Sequence, residues 1–329
     1  MKKSKNNDIA KTLSYILISV LFVIGIAVGI VIKSILPTNN PQINQTRDNS
    51  YKYINPLIDF ETIQSAGNRE LKTLENQLQE YIDYHKEVKD ISIYYKDLNS
   101  GAWLGIEEDE KFSPASLFKV PIMIALYKMA EEDPNFLKQE IVYTPQETLE
   151  QNFDPESSLI EGEAYSLEEY IEQLIMYSDN RVLDMLSEIL TAERELDIYS
   201  DLGLSNPYET GDPNNMSVKE YASFFRILYN ASYLNKEMST KALHLLSQTT
   251  YDKGIRKGVP QDITIAHKFG ERLLVDETGY EEYQLHECGV IYHPQKPYIL
   301  CVMTRGSNFE ILENTLSKIS SLVYDIVNK

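Results

Sequence analysis

The run FSPASLFKVPIMIAL, residues 112–126, decides how the rest of the chain is read. Ser116 and Lys119 stand at the start of an apolar helix that continues through Ile122, Ile124, Ala125 and Leu126. Residues three apart on a helix share a face, so the Lys119 amine can reach the Ser116 hydroxyl. Serine is a poor nucleophile until a base removes its proton. Lysine can be that base only if its pKa of about 10.4 falls towards neutrality, a shift of roughly 3 units or 4 kcal/mol. Burial and a second nearby cation supply such a shift. Taken alone, the spacing is weak evidence, because a helix cap and a solvated lysine make the same pattern.

Upstream of this run, Leu71, Leu74, Leu78, Tyr81 and Ile82 recur at helical spacing and predict a helix from about Glu61 to Tyr84. Two β-rich runs follow, Ile91–Lys96 and Ala102–Ile106, parted by Asn99-Ser100-Gly101, which is hairpin chemistry. Downstream the chain is mainly helical. Ser166-Leu-Glu-Glu169 and Ser217-Val-Lys-Glu220 each match a capping box ahead of a periodic segment. Strand signals return at Thr264–Phe269, Leu285–Tyr292 and Tyr298–Thr304, the last two flanking the turn residues 293–297. If that turn is centred between Pro294 and Gln295, the register sets Cys288 opposite Cys301, close enough to be either a disulfide or a pair of small buried residues. An amphipathic helix closes the chain, with Leu312, Leu316, Ile319, Val323 and Ile326 on one stripe. Elements segregated in this way predict an α+β fold: one antiparallel sheet built from both ends of the domain, flanked by helices, with a helical lobe inserted.

The net charge of −19 is unevenly placed. Residues 1–34 hold five lysines and one acid, leaving −23 on the remainder. So acidic a surface argues against nucleic acid as a partner, because phosphates need basic surface. Leu13 to Ile32 is an uncharged run of twenty residues, long enough to cross a bilayer as a helix. The cationic stretch before it places the N-terminus in the cytoplasm by the positive-inside rule. A cleaved signal peptide fits less well, since Lys33-Ser34-Ile35-Leu36 follows instead of a small-residue cleavage site. The expected organisation is a cytoplasmic tail over 1–12, a membrane anchor over 13–36, a linker over 37–60 rich in Asn, Gln and Pro, and one extracytoplasmic domain over 61–329. The two cysteines form no metal-type spacing, and no metal or cofactor is implied.

Two further motifs complete the reading of the nucleophile helix. Ser178-Asp179-Asn180 lies between one helix ending near Tyr177 and another starting near Arg181. An interhelical turn with a cap is the plain alternative there. Lys268-Phe269-Gly270 lies on a strand, where a cation and a glycine at an edge suit a ligand lying alongside as an added strand. Each is commonplace alone. In this order and these contexts they are the set that marks class A β-lactamases and penicillin-binding proteins, and the chain from Glu61 to Lys329 resembles that family. Phe112–Leu126 resembles its nucleophile helix, Tyr177–Asn180 its Ser-Asp-Asn loop, and Ala266–Gly270 its lysine–glycine strand, with His286–Val290 as the strand beside it.

The resemblance implies roles residue by residue. Ser116 would attack an acyl carbonyl, Lys119 would accept its proton, and Ser178 would pass a proton to the leaving nitrogen. Asn180 would bond a substrate amide, Lys268 would draw in an anionic group, and the N–H groups of Ser116 and Glu271 beside Gly270 would form the oxyanion hole. The implied substrates are β-lactams or D-alanyl peptides derived from the cell wall. Two departures qualify this. Phe269 stands where the family carries a hydroxyl, and Glu271 places a negative charge two residues on, on the same face. Leu204–Met216 is shorter than the family's Ω-loop and lacks its Glu-Pro-x-x-Asn motif, leaving Glu209 as the one acid to nominate for activating the deacylating water. The expectation is a serine hydrolase that is acylated at Ser116 and deacylates slowly, the alternative being a non-catalytic β-lactam or cell-wall sensor on the same fold. A Ser/His/Asp hydrolase is the remaining alternative, but His85, His244, His267, His286 and His293 sit in no recognisable triad motif.

Overall fold

A computed structural model describes residues 41–47, 51–64, 68–145, 151–153, 155, 158–204, 206, 207, 211 and 213–329. The apolar run Leu13–Ile32 and Glu209 lie outside the described residues. Among the described residues, no helix is long and apolar enough to cross a membrane. The chain divides into Met1–Pro41 and Gln42–Lys329, and the second unit holds the sheet and helices described here.

Five strands form one antiparallel sheet: β1 (Val88–Asp97), β2 (Trp103–Ile106), β3 (Ile265–Val275), β4 (Glu281–Ile291) and β5 (Tyr298–Gly306), in the spatial order β2-β1-β5-β4-β3. β5, the last strand in sequence, lies at the centre and pairs with β1 from the start of the domain. The sheet is therefore built from both ends, as the segregated pattern predicts. Nine helices surround it among the described residues: α1 (Asn68–Tyr84), α2 (Lys119–Glu132), α3 (Leu167–Met176), α4 (Leu183–Ser187), α5 (Ala192–Asp201), α6 (Val218–Asn230), α7 (Lys236–Leu246), α8 (Gly254–Lys257) and α9 (Phe309–Val327).

The helices fall on both sides of the sheet because its central strands are apolar on both faces. Along β5, Ile299, Cys301 and Met303 join the core shared with α2, α3, α6 and α7, whereas Tyr298, Leu300 and Val302 join the core under α1 and α9. That alternation is the two-residue period of a strand. On α9 the predicted stripe of Leu312, Leu316, Ile319, Val323 and Ile326 is the buried face. Both capping boxes are present: Ser166 with Glu169 at α3, and Ser217 with Glu220 at α6. Each supplies two of the N–H partners a helix start lacks. The β4–β5 register sets Cys288 opposite Cys301, and the two buried sulfurs are joined as a disulfide.

Two strands depart from the sequence reading: Pro41–Arg47 lies within the expected linker over 37–60, and Leu57–Gln64 runs from that linker into the expected first helix. The first helix starts at Asn68, not Glu61, because Leu57–Gln64 is a strand. Its sequence, LIDFETIQ, is rich in branched and aromatic residues that favour extended backbone. The helical stripe gains its first member only at Leu71.

Candidate active site

Ser116 lies in a single 3₁₀ turn, Ala115–Phe118, that leads into α2. Ala115 before it has φ of 46°, a left-handed conformation that a residue with a Cβ adopts only when its surroundings force it. The surroundings here are β3. An ideal Cβ on Gly270 would stand 2.8 Å from both Leu117 N and Pro114 O, so only glycine lets the strand lie this close to the turn. The serine is thus held between the sheet and the buried, apolar α2.

The three motifs meet at this point. The Lys119 side chain, fully buried at the base of α2, donates to Ser178 O at 2.5 Å, Ser178 Oγ at 3.1 Å and Asn180 Oδ1 at 2.6 Å. From the sheet side, Lys268 Nζ donates to the same Ser178 Oγ at 2.8 Å and to Phe269 O at 2.9 Å. With φ of 57°, Ser178 offers its carbonyl and its hydroxyl to the same amine. Asp179 is buried and faces away, gripping Arg181 through Nε and Nη2 at 2.9 Å each.

Two buried lysines thus share one hydroxyl. Burial drives the Lys119 pKa down from 10.5 to about 7, against the opposing pull of Asp179 and Glu271. Burial also pushes Lys268 far below its usual value, and the neighbouring Lys119 charge pushes it further. Among the described residues Ser116 Oγ has no hydrogen bond, and none of the histidines reaches it. His286 is packed edge-on against Phe112 and pushed down to about 3 by burial; His267 is bonded to Glu287.

Both departures from the family pattern have a visible setting. Phe269 is buried, stacked on Tyr251 with ring centroids 4.2 Å apart and packed against Phe153, with Lys268 Nζ 4.2 Å from its own centroid. The position that would hold a hydroxyl is filled by an aromatic group. Glu271 accepts hydrogen bonds from Asn152, from the backbone N at 2.9 Å and from the side-chain amide. Next to Asn152, Gln151 donates to Ser178 O at 3.1 Å and accepts from Asn180 N at 3.2 Å. Residues 151–153 therefore tie the Ser-Asp-Asn loop to β3. Sequence reading missed them: they lie in an aperiodic stretch with no motif of its own.

Comparison with known proteins follows the same lines. The model of the β-lactamase enzyme family matches residues 73–327. A curated β-lactamase of Streptomyces lavendulae is 23% identical over 230 residues, 65% of this chain and 72% of that protein. Among solved structures, PBP-A aligns with a TM-score of 0.65 at 21% identity, covering 78% of this chain and 97% of that one. The extended-spectrum β-lactamase TLA-3 aligns at 0.69 and 18% identity, covering 79% and 100%. At such identities the solved structures speak to the fold alone, but the family match takes in nearly the whole of the sheet and both helical layers, and the chain belongs to the β-lactamase enzyme family.

Proposed function

We propose that this protein is a membrane-tethered serine acyl-transfer enzyme, acylated at Ser116 by β-lactams or D-alanyl peptides, whose acyl-enzyme is released slowly. The observation that carries the reading is the pair of buried lysines on one hydroxyl, where burial drives the Lys119 pKa down to about 7. A lysine that is neutral at working pH has a lone pair to offer, and most lysines do not.

In the proposed sequence, neutral Lys119 takes the Ser116 proton as Ser116 Oγ bonds to the acyl carbon. The carbonyl oxygen becomes an oxyanion facing the N–H groups of Ser116 and Glu271. When the C–N bond breaks, the Ser178 hydroxyl gives its proton to the leaving nitrogen and is refilled from the Lys119 ammonium, which already donates to it at 3.1 Å. Lys268 holds Ser178 from the other side and favours an anionic group near it. Asn180, whose side-chain oxygen accepts from Lys119, is the residue proposed to bond a substrate amide.

Slow release is proposed because Leu204–Met216 lacks the family's glutamate motif. The tether is proposed from Leu13–Ile32 and its cationic flank. Substrate class is supported by the penicillin G acyl-enzyme complex solved for a PBP-A variant. The test is intact-mass analysis of the purified chain with penicillin G, followed over time. A persistent adduct is expected, and none in Ser116→Ala. Rapid turnover would refute slow release. No adduct at all would favour the alternative reading, a non-catalytic β-lactam or cell-wall peptide sensor on the same fold.

A further inference from the structure

β3 presents three residues in alternation to the catalytic face. Lys268 and Arg272 flank Gly270, and by strand geometry each stands about 6–7 Å along the backbone from it. Gly270 abuts the nucleophile turn, so it marks where an acyl carbonyl would sit. Lys268 is bonded to Ser178, the residue placed to protonate the leaving nitrogen, so the leaving group lies at the Lys268 end. A ligand lying along the strand then sends its acyl side chain the other way, past Gly270 towards Arg272.

A cavity of about 580 Å³ opens there, bounded by Ala115 and Phe118 of the nucleophile turn, Tyr199 of α5, Pro207 and Arg272. Among the described residues the lining is mainly apolar, with one cation. Arg272 Nη1 donates to the buried Ser113 Oγ at 2.8 Å, and no carboxylate of the described residues pairs with it. Its cross-strand neighbour is Gln284, a neutral residue. Glu282, next along that face of β4, is bonded to Lys89 at 2.6 Å. Elsewhere in this acidic protein, Arg181 and Arg305 are both matched with carboxylates. A guanidinium fixed by a hydroxyl, without a carboxylate partner among the described residues and facing a cavity, is arranged for an anion from outside, since its remaining N–H groups form a fork that fits a carboxylate.

We propose that Arg272 is a specificity-determining residue: it reads a carboxylate on the acyl side of the substrate, so that acyl donors with an anionic side chain are preferred. The proposal rests on acylation at Ser116 as read above. It moves anion recognition to the acyl end of the cleft, away from the position that Phe269 fills.

The test uses two penicillins that differ by one carboxylate on the acyl side chain, benzylpenicillin and α-carboxybenzylpenicillin. Acylation of the full chain is followed by intact mass. The wild-type chain should be acylated at least fivefold faster by the carboxylated probe. Arg272→Gln, which keeps a donor for Ser113 but removes the charge, should bring that ratio to about one by slowing the carboxylated probe and leaving benzylpenicillin within twofold. Arg272→Lys should keep part of the preference. A wild-type ratio near one overturns the proposal, as does Arg272→Gln slowing both probes equally, which would make Arg272 a prop for Ser113. Failure of both probes to acylate the wild-type chain would instead sink the acylation reading and this inference with it.

Discussion

Two buried polar clusters sit on neighbouring residues of β3, on opposite faces, and they are solved in opposite ways. On one face His267 meets Glu287 at 2.6 Å, and the other oxygen of that carboxylate accepts from Ile255 N at 2.6 Å at the start of α8. Every strong group there has a complementary partner. On the other face Lys268 and Lys119 crowd one hydroxyl, and among the described residues neither has a carboxylate in direct contact. Burying a charge is tolerable when it is paired; left unpaired, it loses its proton instead. The first cluster holds the structure together. The second is an expense in stability that leaves a neutral amine beside a serine, and such conflicts with local preference mark functional sites.

That contrast can be broken. Lys119→Met should lower acylation by about 10²–10⁴-fold, the usual worth of a general base, while the thermal midpoint holds or rises. A fall in midpoint like that of the next variant would mean that the lysine is structural. Glu287→Ala should do the reverse. It leaves His267 and the start of α8 without a partner, and a broken buried pair costs about 3–5 kcal/mol, measurable by urea unfolding. Little loss there would show the paired cluster to be as dispensable as a surface bridge.

The remaining two tests sharpen the contrast. Phe269→Thr combined with Glu271→Ala should speed acylation by penicillin G about tenfold or more, by restoring a hydroxyl donor and removing a repulsive charge. An unchanged or slower rate would show that the aromatic stack around Tyr251 and Phe153 suits a ligand other than penicillin G. The smallest expected effect is that of pH. The base form of Lys119 exists above about 7, so acylation should climb with pH towards a plateau beyond that value. The stability effect has the same sign: the penalty for a protonated Lys119 is full below about 7 and is relieved as pH rises towards the unfolded value of about 10.4. A rate that is flat from pH 5 to 8 would assign proton removal to another group.

The sequence was most legible where period and motif coincide. The alternation and turn chemistry of β3–β5 place Cys288 opposite Cys301, and the stripe of α9 gives its buried face. The serine and lysine motifs converge because each was tied to a particular element. Other features lay beyond pattern reading. Ile58, Phe60 and Thr62 favour a strand, yet a helical period drawn backwards from Leu71 runs straight over them. Gln151, Asn152 and Phe153 act through contacts with residues far along the chain, such as Glu271, and no local spacing announces that. The strained backbone at Ala115 and Ser178 is likewise imposed from outside, by packing against β3 and by the bonds of Lys119.

A sheet whose central strand comes last in sequence also orders events during synthesis. β1, β2, the nucleophile turn and the whole helical lobe leave the ribosome before residues 265–306 exist. Until then β1 lacks its partner β5, Lys119 has no second cation opposite it, and Gly270 is not there to brace the turn at Ala115. The amine of a part-made chain stays hydrated, charged and inert. On the proposed function, the serine therefore has its partly deprotonated lysine only once the C-terminal strands are in place. The long-range pairing that makes such a fold slow to assemble is also what completes the lysine cluster.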